Sequence, residues 1–372
     1  MGLMTGANLV LIGIFIPVIL LMAFTPYLTR RTEAFGVTVP DGVKQQSYIA
    51  RHIKRYMLLC LGLGIILIAA MFILIKPEGS EQDHSIWYSV IIVSYLVLTF
   101  LVYIVSHMQI KAWKQQQPWY EETSSSQKIV VQTGFHKEKT TISLVWYVPH
   151  IIVVALAMGY SIIHYDKFPE LLPMQYDFNG EVTRAVEKSI GSVLTLSWLS
   201  IAMIIVFIIS HLSIARSKQV IESQDPHGSL QRNVIFRYSW SVFLAIAGFL
   251  VVILMVLGQL SPLLEWSSNT FMVIVFTIVG IILLGSILLS VKLGQGGSRL
   301  KNSNTQQGKA SVEVADLDQH WKLGIFYVNR NDPAIFVEKR FGVGWSINYG
   351  NPIAWLITIG ILAIVLIPAI FL

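Results

Sequence analysis

Eight stretches of the chain are almost unbroken in apolar residues: Leu3–Phe24, Met57–Ile75, Trp87–His107, Leu144–Ile163, Gly191–His211, Ile235–Leu257, Phe271–Val291 and Ile353–Leu372. Each is close to the length of about 20 residues that a helix needs to cross a hydrocarbon core, where every backbone N–H and C=O must be satisfied inside the segment. The pattern predicts an all-α polytopic membrane helix bundle with about eight transmembrane helices. The first run has no basic residue ahead of it and Arg30-Arg31 behind it, the reverse of a secretory leader, so it is expected to be retained as a span.

The polar positions divide the chain further. Residues 1–142 hold three spans, 143–211 two spans around a long loop, and 212–293 two more; 294–319 reads as a flexible linker, 320–352 as an aromatic and basic membrane-proximal segment, and 353–372 as the last span. Ser47–Tyr56 sets Ile49, Ile53 and Tyr56 on one helical face with Arg51, Lys54 and Arg55 on its flank, which suits a helix lying along headgroups. Ile129–Ser143 is rich in β-branched residues and predicts a short hairpin about Gly134, while the Gly, Ser, Asn and Gln of Gly294–Gly308 predict the linker. In the 320–352 segment, apolar Ile325–Val328 and Ala334–Val337 flank the turn Asn329-Arg330-Asn331-Asp332-Pro333 and predict a hairpin near the bilayer.

Composition sharpens the class. Apolar residues make up 54% and charged residues 13% of the 372, against about 25% charged in soluble domains. The net charge of +6 has a membrane explanation, because all of the 27 Lys and Arg residues except Lys76, Lys167, Arg184 and Lys188 fall in alternate loops. Cytoplasmic loops collect cations, so both termini are expected outside, and nucleic acid is not expected as a partner. The single cysteine, Cys60, lies in an apolar run and rules out an intrachain disulfide framework.

Candidate chemistry is sparse. No phosphate-binding loop, nucleophile elbow or zinc helix motif occurs, so no catalytic residue, cofactor or metal is assigned and the chain is read as a non-enzyme. His164 with Asp166, and Asp83 with His84, are neighbours but fall short of the three or four ligands a zinc site needs. No run carries Asp, Lys or Arg near its centre, where an ion or proton path would require one. Ser94, Thr99, Tyr103, Ser192, Thr195 and Ser200 read as hydrogen bonding between helices, and His150 as a structural histidine near a helix end that merits a test.

Two polar stretches carry the candidate binding surfaces. In the loop His164–Ser189, Pro173 and the turn Asn179-Gly180 leave Asp177, Glu181 and Arg184 facing water, so Leu172, Pro173, Gln175, Asp177, Asn179, Gly180 and Arg184 are candidate ligand-binding residues, or else a solvated cap. In the second, Trp321, Tyr327, Asp332, Pro333, Lys339, Arg340 and Trp345 suit a headgroup-level belt, or a docking surface for a cytoplasmic signalling partner or for the chain's own Arg31–Phe35. Phe35-Gly36-Val37 and Phe341-Gly342-Val343 echo one another, each after basic residues.

Leu172-Pro173 with Gly180 and Arg184 resembles a segment of the bacterial SdpI-like group of peptide-toxin immunity proteins. That pattern has a His two residues after the Pro and an Asp before the last basic position, where this chain has Gln175 and Thr183. Trp321, Gly324, Tyr327, Asn329, Asp332-Pro333, Phe336-Val337, Lys339-Arg340, Gly342, Gly344-Trp345 and Asn348 resemble a second, uncharacterised domain that precedes a final helix in the same group, with Glu338 in place of a Pro. The resemblance implies immunity to, or sensing of, envelope-active extracellular peptides; a transporter or flippase of an amphipathic or lipid substrate is the rival. The sequence leaves the oligomeric state open.

Overall fold

The structure, a computed structural model, describes residues 6–75, 81–120, 139–176, 182–220, 225–264, 266, 268–300 and 318–371. The described parts of the eight apolar runs lie mainly on eight α-helices: α1 Gly6–Leu28, α2 Ser47–Leu74, α3 Glu81–Gln115, α4 Val148–Ile163, α5 Thr195–Arg216, α6 Pro226–Leu260, α7 Ser268–Leu293 and α8 Pro352–Phe371. Among the described residues, six are long and apolar enough to cross a membrane, those of α2 to α7. The apolar stretches described in α1 and α8, Phe15–Leu28 and Pro352–Ile364, are shorter. Large apolar side chains lie bare on the helices, with Ile73 75% and Ile163 79% exposed. Water does not tolerate apolar surface on that scale, whereas lipid is its natural solvent.

Four antiparallel strand pairs accompany the helices: β1 Glu33–Ala34 with β2 Val37–Thr38, β3 Leu171–Tyr176 with β4 Val182–Glu187, β5 Trp321–Lys322 with β6 Phe326–Tyr327, and β7 Phe336–Glu338 with β8 Trp345–Ile347. The chain forms two compact units, residues 1–138 with 217–236 and 289–351, and residues 139–216 with 237–288 and 352–372.

In the first unit, α2 begins at Ser47 and runs unbroken through the stretch expected to lie flat on the headgroups. The predicted face exists, but its partner is protein: Ile49, Ile53, Tyr56 and Cys60 are buried with Phe35, Val37, Val39, Tyr103 and Ile110. The i, i+4, i+7, i+11 spacing continues into the span, so bending the helix at Tyr56 would expose half of one continuous stripe. The predicted 325–337 hairpin takes different partners. Phe326–Tyr327 pairs back with Trp321–Lys322, and Phe336–Glu338 pairs forward with Trp345–Ile347. Of the stretch read as a linker, the start is a tight turn in which Gln295 is fully buried and bonded in both directions to Gly344, and 301–317 lie outside the described residues. The hairpin expected at Ile129–Ser143 falls mostly outside them as well.

The second unit packs α4 on α5 through Val154, Ile204 and Val252 and their neighbours. Its buried polar groups answer one another: Ser197 donates to Gln259 Oε1 at 2.6 Å, and Gln259 Nε2 donates to Ser161 at 2.8 Å. Arg237, expected in a loop, lies inside α6 with no exposed surface, and its guanidinium donates to the Ile214 carbonyl at 2.9 Å.

Candidate functional site

The first unit draws buried charge together around two hairpin tips. Between β1 and β2, Phe35 and Gly36 both take positive φ, 48° and 74°, the backbone of a two-residue hairpin turn. Between β5 and β6, Leu323 and Gly324 do the same, at 52° and 71°. The tips meet glycine to glycine: a Cβ on Gly36 would stand 2.5 Å from the Gly324 carbonyl oxygen. Tyr103 of α3 places its hydroxyl 2.9 Å from the Leu323 carbonyl and 3.2 Å from that of Phe35, and His107 Nδ1 lies 2.8 Å from the Phe35 carbonyl. Phe341 stacks on Phe35 with centroids 5.7 Å apart, so the two echoing Phe-Gly-Val motifs are in contact.

Around the tips three cations meet three carboxylates. Arg30, buried just after α1, pairs with Glu338 of β7 and donates to the Val220 carbonyl at 3.1 Å, while Asn233 Nδ2 donates to the other Glu338 oxygen at 2.9 Å. Arg340 pairs with Asp318, donates to Thr38 Oγ1 at 2.6 Å and to the Gly36 carbonyl at 3.2 Å, and lies 5.3 Å from the Trp321 ring centroid. Lys114 of α3 completes Asp318 at 2.8 Å. Burial pushes the Asp318 carboxyl up, but Arg340 and Lys114 outweigh it and hold it below the usual carboxylate range. Glu33 differs. It is more deeply buried, Arg340 approaches it only to 3.9 Å, and its Oε2 has no hydrogen-bond partner, so burial raises its pKa against the pull of Arg30 and Arg340.

The rest of the 320–352 segment is stitched by side chains. Asp332 accepts from Lys218 at 2.5 Å, from the Tyr327 hydroxyl at 2.6 Å and from the Ala334 N–H at 3.0 Å, with Pro333 fixing the turn. Asn348, with no exposed surface, donates to the carbonyls of Asn329, Asp332 and Ala334 and accepts from the Asn329 N–H. Trp321, Tyr327 and Arg340 lie inside the unit, and Trp345 packs on Phe236 with centroids 5.2 Å apart; Lys339 stays exposed. The aromatic residues expected at headgroup level therefore largely face protein, and the segment's docking site is the chain's own 30–38 stretch. Arg30, Asp318 and Lys114 were not singled out by the sequence as site residues, and Glu338 was noted only as a departure from an expected pattern; in the structure it supplies the acid for Arg30.

In the second unit the other candidate surface is a hairpin with a fixed base and bare strands. Leu172 of β3 is buried with Phe168, Val193 and Leu194. Below it, Lys188 bonds to Glu170 at 2.8 Å and to the Phe168 carbonyl at 3.1 Å, and Ser189 with Ser192 forms a reciprocal cap on the one-turn helix Ile190–Val193. Pro173 pairs with Ala185 next to a register shift. Gln175 and Arg184 are exposed, as are Val182, Thr183 and Ala185. Asp177, Asn179, Gly180 and Glu181 lie outside the described residues. His150 is buried between the rings of Tyr147 and Phe249, and its Nε2 lies 3.0 Å from the Ala245 carbonyl. That environment is structural.

No cluster of three or more His, Cys, Asp or Glu able to hold a metal occurs among the described residues. Comparison with known proteins yields one likeness. Residues 330–355 match the model of a family of unknown function, DUF5808, which covers β7, β8 and the start of α8. No curated protein and no solved structure matches the chain.

Proposed function

We propose that this is a non-catalytic, eight-span protein of a bacterial envelope that meets envelope-active peptides through the β3–β4 hairpin, in an immunity or sensing role of the SdpI-like kind. In this reading the Lys- and Arg-rich loops and the 320–352 segment face the cytoplasm, and both termini and the hairpin face outward. The observation that carries the reading is the hairpin's combination of an anchored base and exposed strands. Leu171 at the base and Val182 near the turn are 61% and 52% exposed, while Leu172, opposite Val186, is buried. A two-stranded sheet with a bare flank accepts an extended peptide as a further strand, backbone to backbone, with side chains such as Gln175 and Arg184 setting preference. Two of the three acids in the tip assembly, Glu338 and Asp318, are held by Arg30, Arg340 and Lys114, which supports a structural rather than a catalytic use of them.

The test is a deletion strain challenged with a panel of secreted antimicrobial peptides. Sensitisation reversed by the intact chain but not by Arg184→Glu is the expected result, and unchanged killing across the panel would remove the immunity reading. Labelled uptake into vesicles that depends on the protein would favour transport instead.

A further inference from the structure

A cavity of about 650 Å³ opens in the first unit where α1 ends and α2 begins, closed on its third side by the turn after α7. Four cations line it, Arg31, Lys44, Lys54 and Arg299, and among the described residues no carboxylate does. Arg31, Lys54 and Arg299 are exposed, and Arg31 and Lys54 have no ionic partner among the described residues. Lys44 is built in: its ammonium donates to the Thr29 and Arg30 carbonyls at 3.1 and 3.0 Å, which leaves one of its three protons over. Burial lowers its pKa to about 8, Glu33 offsets part of that, and Arg299 lowers it further. Among the described residues Glu33, behind Lys44, is the one acid acting on that lysine and offsets only part of its shift, so the cations still repel one another and an anion seated among them relieves that repulsion. The remaining wall includes Pro26, Tyr27, Ala50 and Ile53.

We infer that this cavity binds the phosphate headgroup of an anionic phospholipid. The Arg31 fork and the remaining donors of Arg299, whose Nη1 already donates to the Val291 carbonyl at 2.7 Å, suit a phosphate ester, which accepts several N–H bonds. The cavity's place selects lipid over a soluble phosphate: it sits at the polar ends of two apolar helices, with Tyr27 40% exposed beside it. Tyrosine at that depth and basic pockets between helix ends are where headgroups lie. The inference does not depend on what the β3–β4 hairpin meets.

The experiment uses the full chain, purified in detergent and moved to nanodiscs of phosphatidylcholine with or without phosphatidylglycerol. Native mass spectrometry then counts retained lipid. Wild type is expected to keep phosphatidylglycerol and shed phosphatidylcholine. Arg31→Gln with Arg299→Gln is expected to weaken retention about a hundredfold, roughly tenfold for each charge-assisted contact removed. Arg51→Gln with Arg55→Gln, on the same helix but off the cavity, is expected to leave it unchanged. Lys54→Gln, a single exposed change, serves if the double variant fails to fold, with about a tenfold loss expected. Equal retention of the two lipids, equal loss in the Arg51 and Arg55 control, or inorganic phosphate displacing the lipid at equal concentration would each overturn the assignment.

Discussion

The tip assembly of the first unit and the β3–β4 hairpin of the second are both small antiparallel sheets next to apolar helices, yet they handle polar groups in opposite ways. The tips bury Arg30, Glu338, Arg340, Lys114 and Thr38, whereas the hairpin leaves most of β4 in the open. A buried ion pair contributes little beyond what well-packed apolar residues would, but it makes each partner indispensable to the other. An exposed strand makes its residues dispensable to the fold and so available for binding. The contrast teaches that most of the residues matched to a family of unknown function are held in place by one another, whereas the exposed positions of β4 are free to vary without cost to the fold.

The sharpest way to break this contrast is to remove one partner of a buried pair. Glu338→Ala strands Arg30 and is expected to cost about 3–5 kcal/mol, read as a large drop in melting temperature in detergent. The double change Arg30→Met with Glu338→Leu is expected to recover most of it. Gly36→Ala comes next. It forces a Cβ to 2.5 Å from the Gly324 oxygen at a positive φ, and strain of about 1–3 kcal/mol is expected in the same assay.

Acid titration separates the two least alike carboxylates of the assembly. Asp318 has a depressed pKa, so its contribution is present above the ordinary aspartate value of 3.8 and is lost as pH falls below it. Melting temperature is expected to fall below about pH 4, less steeply in Asp318→Asn. Glu33 has a raised pKa, so its ionisation opposes the fold as pH climbs past 4.5. Glu33→Gln is expected to be stabilising at neutral pH and to flatten that part of the profile. The smallest effects belong to the hairpin: Gln175→Ala and Arg184→Ala are expected to stay within about 0.5 kcal/mol of wild type, so any loss of peptide protection they cause reads directly as binding.

Much of the helical scaffold is legible in the sequence because lipid imposes a length and forbids interior charge, and both constraints show in every run of apolar residues. The 35–37 and 341–343 echo was visible too, although only the fold shows why it exists: two phenylalanines stack and each glycine turns its strand away. The strand pairing within 320–352 was not legible. Strands of two or three residues carry no period, and their partners are chosen by Asn348, Gln295 and Lys218 through bonds that span 19, 49 and 114 residues. The pairing of Asp318 and of Glu338 was hidden for the same reason. A lone acid in a polar stretch looks solvated until the cation that faces it is known. The interfacial helix at Ser47–Tyr56 failed differently: its amphipathic face was correct, and the sequence alone does not say whether lipid or protein covers it.

Arg30 and Glu338 stand 308 residues apart. On a ribosome the arginine emerges early and waits for its acid while all the intervening helices are delivered to the bilayer, since contacts of such long range close last. For that whole interval the nascent chain carries a guanidinium without its acid next to α1. Final locking of this contact therefore waits for residue 338, and chains halted before it lack the partner of Arg30.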